Sequence, residues 1–154
     1  MVIKLVATYI ILVGCCWVMI KTSPHDWKSK SIYFSEYPRY VEALKRSDLH
    51  NALLDINLPE NTELTLRKTD GELELWFSTL REDRAPVIER IKESCSSQNL
   101  ALRYTNDDYL FVWKIPGSAE AVSKQVESIA AEVFSINASE KINIDYYHLG
   151  KIRK

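Results

Sequence analysis

The chain has 154 residues, room for one domain and an accessory segment but not for two full cores. Twenty Lys and Arg stand against 21 Asp and Glu, so no bulk field draws nucleic acid or an acidic partner, and a DNA-binding module is excluded on charge. A hydrophobic share of 46% with 27% charged residues is that of a globular protein and excludes a disordered chain.

The first element is apolar. Leu5 to Ile20 is sixteen residues without a charge, bracketed by Lys4 and Lys21. As a helix it reaches about 24 Å. Met1 to Ile3 extend it and the lysines can snorkel, which brings it near the roughly 30 Å hydrocarbon core. A core helix of a small domain keeps a polar stripe, and this segment has none. Residues 1–21 are therefore expected to form a single-pass transmembrane helix, touching lipid through residues 4–21. The competing expectation is a signal segment. Leu12-Val13-Gly14-Cys15 resembles the bacterial lipobox, in which Cys15 would be lipidated, although Trp17-Val18-Met19-Ile20 carries the apolar run past it. Lys21, Lys28, Lys30 and Arg39 crowd the far flank and favour a cytoplasmic domain. A short N-terminus before a large C-terminal domain is nonetheless the ordinary signal-anchor layout, and the domain is expected to be extracytoplasmic, in the periplasm.

Thr22 to Tyr33 opens polar, with Pro24, and reads as a tether ahead of a soluble domain over residues 34–154. A helix is expected next. Ser35 can cap it and Pro38 fits its first turn, and Tyr37, Val41, Leu44, Leu49, Leu53 and Ile56 follow at helical intervals with a phase shift near Ser47-Asp48. Asn57, Pro59 and Asn61 end it.

An internal echo follows. "LTLRKTDGE", Leu64 to Glu72, aligns without a gap to "LALRYTNDD", Leu100 to Asp108, 36 residues on. Each unit reads as strand, tight turn, strand, helix. An Asp70-Gly71 turn sets Lys68 opposite Leu73, Leu66 opposite Leu75 and Leu64 opposite Phe77, with Arg67 against Glu74 as a charge pair on the other face. The same register in the second unit puts Leu100, Leu102, Phe111 and Trp113 on the core side, and Ala101, Leu110 and Val112 on the opposite side. The helices carry the apolar lines Val87, Ile88, Ile91, Cys95 and, after Ser118 and Glu120, Val122, Val126, Ile129, Ala130, Val133. Ile142, Ile144 and Tyr146 alternate as a closing strand. The fold class is α+β: a two-layer sandwich on an antiparallel sheet, made of a helix, two ββα units and a final strand, with a ferredoxin-like arrangement as a near neighbour.

No catalytic motif appears. G-x-S-x-G, H-E-x-x-H, Cys-x-x-Cys and a phosphate loop are all missing, and no cofactor or metal is expected. Asp107-Asp108 and Asp70 lack the spaced ligand set of a calcium loop. His148 reads as a surface residue at a strand end, and Cys95 as a small apolar residue of a buried helix stripe. The second sheet face is less ordinary. Trp76, Ala101, Leu110 and Val112 lie among Arg67, Arg103 and Lys114, too apolar for a wet surface. The expected cover is the helix from Ser35 to Ile56. Left bare, the face is a surface for a protein partner or a second copy, through Trp76, Arg67, Arg103, Leu110 and Val112. Single-stranded RNA is excluded by the missing aromatic-basic strand motif. The expected function is that of a non-enzymatic, membrane-tethered interaction domain, or of a lipoprotein acting as an immunity or binding factor.

Overall fold

The computed structural model describes residues 27–49, 52–58, 62–78, 85–106 and 110–152, and within them seven strands and three helices. In chain order these are β1 (Trp27–Tyr33), a 3-10 turn (Phe34–Glu36) running into α1 (Tyr37–Arg46), β2 (Leu53–Leu58), β3 (Thr62–Thr69), β4 (Glu72–Ser78), α2 (Ala85–Ser97), β5 (Ala101–Asn106), β6 (Leu110–Ile115), α3 (Ala119–Phe134) and β7 (Lys141–Tyr147). The protein is an α+β fold. Its strands form one sheet in the order β1-β7-β2-β3-β4-β6-β5, and every neighbouring pair is antiparallel. Antiparallel neighbours are also what the ferredoxin-like alternative has, because its βαβ units are split by an intervening strand; β4-α2-β5 is such a unit, with β6 between its two strands, in a sheet of seven described strands.

The first hairpin has the expected register. Asp70 and Gly71 take φ of 51° and 83°, the left-handed pair that a two-residue type I′ turn requires, and Leu66 faces Leu75, Leu64 faces Phe77 and Arg67 faces Glu74. The second hairpin does not repeat it. Leu102 pairs with Trp113 instead of Phe111, and a bulge at Arg103 precedes the pairs Tyr104–Val112 and Thr105–Phe111. The reason lies at the tip: Asn106-Asp107 has no glycine, and three residues separate β5 from β6. Leu102 keeps the side of Trp113 but, on the edge strand of the sheet, is 50% exposed and not part of the core.

Two strands replace expected non-strand segments. The expected helix ends at Arg46, and Leu53–Leu58 is β2. Leu54, Ile56 and Leu58 are buried at a spacing of two, while Leu53, Asp55 and Asn57 point to the opposite face, so period two wins over the helical spacing of Leu49, Leu53 and Ile56. Ser35 is not the cap; it lies in the 3-10 turn, and Glu36 closes that turn by accepting from the Tyr33 N–H at 3.1 Å. Residues 27–33 of the expected tether are β1. Only Ile32 of this strand is buried, so pairing with β7, not apolar content, places it in the sheet. The expected anchor, residues 1–21, lies outside the described residues. Among those described, no helix is long and apolar enough to cross a membrane.

One face of the sheet meets all three helices. Leu54, Leu66, Phe77, Trp113 and Ile144 join Tyr37 and Leu44 of α1, Ile91 and Cys95 of α2 and Val126 and Ile129 of α3 in a single core. The α2 and α3 stripes are as expected, and Ser118 caps α3 by accepting from the Ala121 N–H at 3.2 Å. Lys68 lies on this same side. Its ammonium donates to the carbonyls of Lys45 at 2.9 Å and Ser47 at 2.5 Å, placing a cation on the C-terminal end of α1. Helix α1 thus packs on the core side with α3. It does not cover the second face, which overturns the expected cover.

Candidate functional site

The face with no described helix over it is built by alternation. Because Arg67, Glu74 and Trp76 alternate with buried Leu66, Leu75 and Phe77, they point away from the helices. Val112 of β6 pairs with Trp76 and shares that face. The bulge at Arg103 breaks the alternation of β5, so that Arg103 and Tyr104 stand on the same side.

Glu74 is the centre of this group. Its side chain is 4% exposed, and three donors converge on it. The Arg103 guanidinium donates to Oε1, and the Thr69 hydroxyl and the Trp76 indole N–H donate to Oε2 at 3.1 and 3.0 Å. A carboxylate withdrawn from water on a sheet face is costly unless its lone pairs are taken up, and here they are. In doing so Glu74 locks the indole of Trp76 and the guanidinium of Arg103. Arg67 faces Glu74 in the ladder, yet the expected charge pair is not formed. Its guanidinium lies over the Trp76 ring, 5.1 Å from the centroid. Among the described residues no carboxylate pairs with it.

These groups surround a shallow depression of about 430 Å³, lined by Arg67, Thr69, Glu74, Trp76, Arg103, Tyr104 and Val112. Four of the residues singled out in the sequence, Arg67, Trp76, Arg103 and Val112, come together in it. Leu110 stands on the same face but outside the lining. Cys15 lies outside the described residues. Sequence reasoning missed Glu74, Thr69 and Tyr104 as part of the site. Glu74 and Thr69 were legible from the β3–β4 register. Tyr104 had no signal, because an unbroken β5 would have turned it toward the helices.

Toward the middle of the sheet the same face becomes acidic. Asp55 of β2 faces Asp145 of β7 and Thr65 of β3. Burial, with Glu63 and Asp145 adding to it, raises the Asp55 carboxyl from 3.8 to about 6 against the opposing hydrogen bond from Thr65. Asn57 Nδ2 donates to Asp145 Oδ2 at 2.7 Å. At the far edge Trp27 stacks on Tyr147 with centroids 5.5 Å apart.

The remaining chemistry-bearing residues singled out in the sequence are Cys95 and His148. Cys95 is fully buried, and burial next to Glu132 pushes its thiol up to about 12, so it is protonated and poorly nucleophilic. His148 follows β7 with φ of 54°, stacks on Tyr147, and its carbonyl accepts from the Ser47 hydroxyl at 2.8 Å. Among the described residues no group of three or more His, Cys, Asp or Glu is placed to hold a metal ion. Comparison with protein-family models, with curated proteins and with solved structures gives no match to this chain, so the reading of the site rests on its own geometry.

Proposed function

We propose that the protein is a non-enzymatic, membrane-tethered interaction domain, an assembly or adaptor component of a bacterial envelope system. One observation carries the interaction part. A seven-stranded sheet has its three helices on a single face, and on the other face Trp76 and Val112 lie among arginines with no described element above them. An aromatic and two guanidiniums on one sheet face have the composition of an interface core. The tether part is supported by the uncharged run Leu5 to Ile20. Confinement to a surface raises local concentration, so that even a weak contact is occupied.

A photo-crosslinking side chain at Tyr104 of the full-length chain, in native membranes, should give a discrete adduct. Trp76→Ala with Leu110→Ser should remove the adduct and leave the circular dichroism spectrum unchanged. A chain found wholly in the supernatant with its N-terminus intact, or an adduct indifferent to those substitutions, would overturn the proposal. A second reading is favoured by Leu12-Val13-Gly14-Cys15: a lipoprotein acylated at Cys15 that acts as an immunity or binding factor. Mass spectrometry of the mature N-terminus separates the two.

A further inference from the structure

The geometry points to the chemistry of the partner: the Glu74 depression takes an acidic side chain flanked by an apolar one, carried on a segment of another protein. The inference rests on the interaction reading above and adds what the partner must present.

The charges of the depression do not balance. Arg103 is paired with Glu74, whereas among the described residues Arg67 meets the Trp76 ring and no carboxylate, so two guanidiniums stand against one carboxylate in the lining. Glu74 cannot compensate both, because its two oxygens are already occupied by Arg103, Thr69 and Trp76. Arg103 is about half exposed, and a guanidinium that spends one N–H on Glu74 still has donors to offer outward. An incoming carboxylate would be held between Arg67 and Arg103 by charge-assisted hydrogen bonds. Val112 is already buried between its ladder partners, so the open apolar part of the lining is the Trp76 ring and Tyr104, the last 51% exposed. An aliphatic neighbour of the acidic residue would cover them. The receptor groups are set before binding, since Glu74 fixes the Trp76 indole and the Arg103 head, and less ordering entropy is lost on association.

An anionic bilayer is the rival source of negative charge. It is disfavoured because the same face carries Asp55, Asp145 and Glu63 in its central strands, which would repel a continuous anionic surface.

The test uses the full-length, ¹⁵N-labelled chain in non-ionic detergent and three probes: acetyl-Leu-Glu-Leu-amide, its Leu-Gln-Leu isostere, and phosphatidylglycerol vesicles. The expected result is saturable movement of the Trp76 indole and Arg103 side-chain signals by the Glu peptide. Binding should be about tenfold tighter than for the Gln peptide, and raised salt should shrink the difference. Arg67→Gln, a change at a partly exposed side chain, should erase the discrimination while the Trp113 indole signal stays in place. Equal binding of the two peptides, shifts outside the depression, no shift at all, or a response to vesicles and not to peptide overturns the inference. If the peptides fail while the Tyr104 adduct persists and still depends on Trp76, the partner chemistry is wrong and the interaction domain stands. If the adduct is absent as well, both fall.

Discussion

Arg103 and Glu74 are 29 residues apart in the chain and on strands that do not touch, yet the guanidinium of one closes on the carboxylate of the other across β6. Alternation along β5 puts Arg103 on the face away from the helices, and the bulge adds Tyr104 beside it. Arg103→Ala leaves Glu74 buried with two donors in place of three. Full loss of a buried partner costs more, but the exposed Arg103 head is screened by water, so the expected loss is about 1–2 kcal/mol. A double-mutant cycle with Glu74→Ala, read by urea unfolding, checks it. Additive single effects would show that the pair is not coupled.

Tyr37 begins α1 with its ring fully buried, and its hydroxyl has no hydrogen-bond partner among the described residues. Burial pushes the phenol well above its ordinary range. Tyr37→Phe removes an unsatisfied polar atom and keeps the packing, so stability should rise by about 1 kcal/mol. A fall in the urea midpoint would instead place a bound water or another partner at the hydroxyl.

Asp55 should make stability fall as pH rises. Below pH 3.8 its carboxyl is protonated in both folded and unfolded chains. Between there and about 6 the folded chain holds the proton more tightly, and above 6 the buried charge is carried in full. Asp55→Asn is expected to add about 1–2 kcal/mol at pH 7, reduced from the full shift because the group keeps some contact with water, and to leave stability at pH 3.5 nearly unchanged. Unfolding curves at both pH values check this, and an equal effect at the two would refute the titration.

Lys68 tests the end of α1. Lys68→Met keeps the aliphatic stem on the core and deletes the ammonium that reaches the Lys45 and Ser47 carbonyls. The expected loss is about 1 kcal/mol, with faster amide exchange in the last turn of α1. Unchanged exchange there would show that the helix end is held by packing alone.

Cys95 should resist alkylation in the folded chain, because its thiol is buried and pushed up to about 12. Peptide mapping after iodoacetamide at pH 8 should find Cys95 modified only in denaturant. Rapid labelling under native conditions would contradict its burial.

How much was legible depends on where each signal sits. The hairpin at Asp70-Gly71 could be read to the residue, since a two-residue turn leaves one register and a slip would expose Leu64, Leu66, Leu75 and Phe77 together. The α2 and α3 stripes were equally plain. The second hairpin looked like a copy, but without the glycine its register moved and Arg103 bulged. Four site residues were visible as an apolar patch among cations. Their organiser, Glu74, looked like an ordinary member of a surface charge pair, because only the arrival of Arg103 from β5 and the covering by its neighbours bury it.

By itself the sequence determined what local physics can specify: an uncharged run at the N-terminus, a type I′ turn, helix faces with a buried stripe, and an antiparallel α+β class. Only the tertiary structure decided which strands are neighbours and which face the helices choose. β1 is polar and owes its place to pairing with β7, and β2 is a strand because Leu54, Ile56 and Leu58 meet a core made by distant elements. The site follows the same rule. Sheet order brings β6 beside β4, and with it Arg103 within reach of Glu74, and leaves one face without a described helix; neither fact is contained in any short stretch of chain, because both are settled by packing between residues far apart in it.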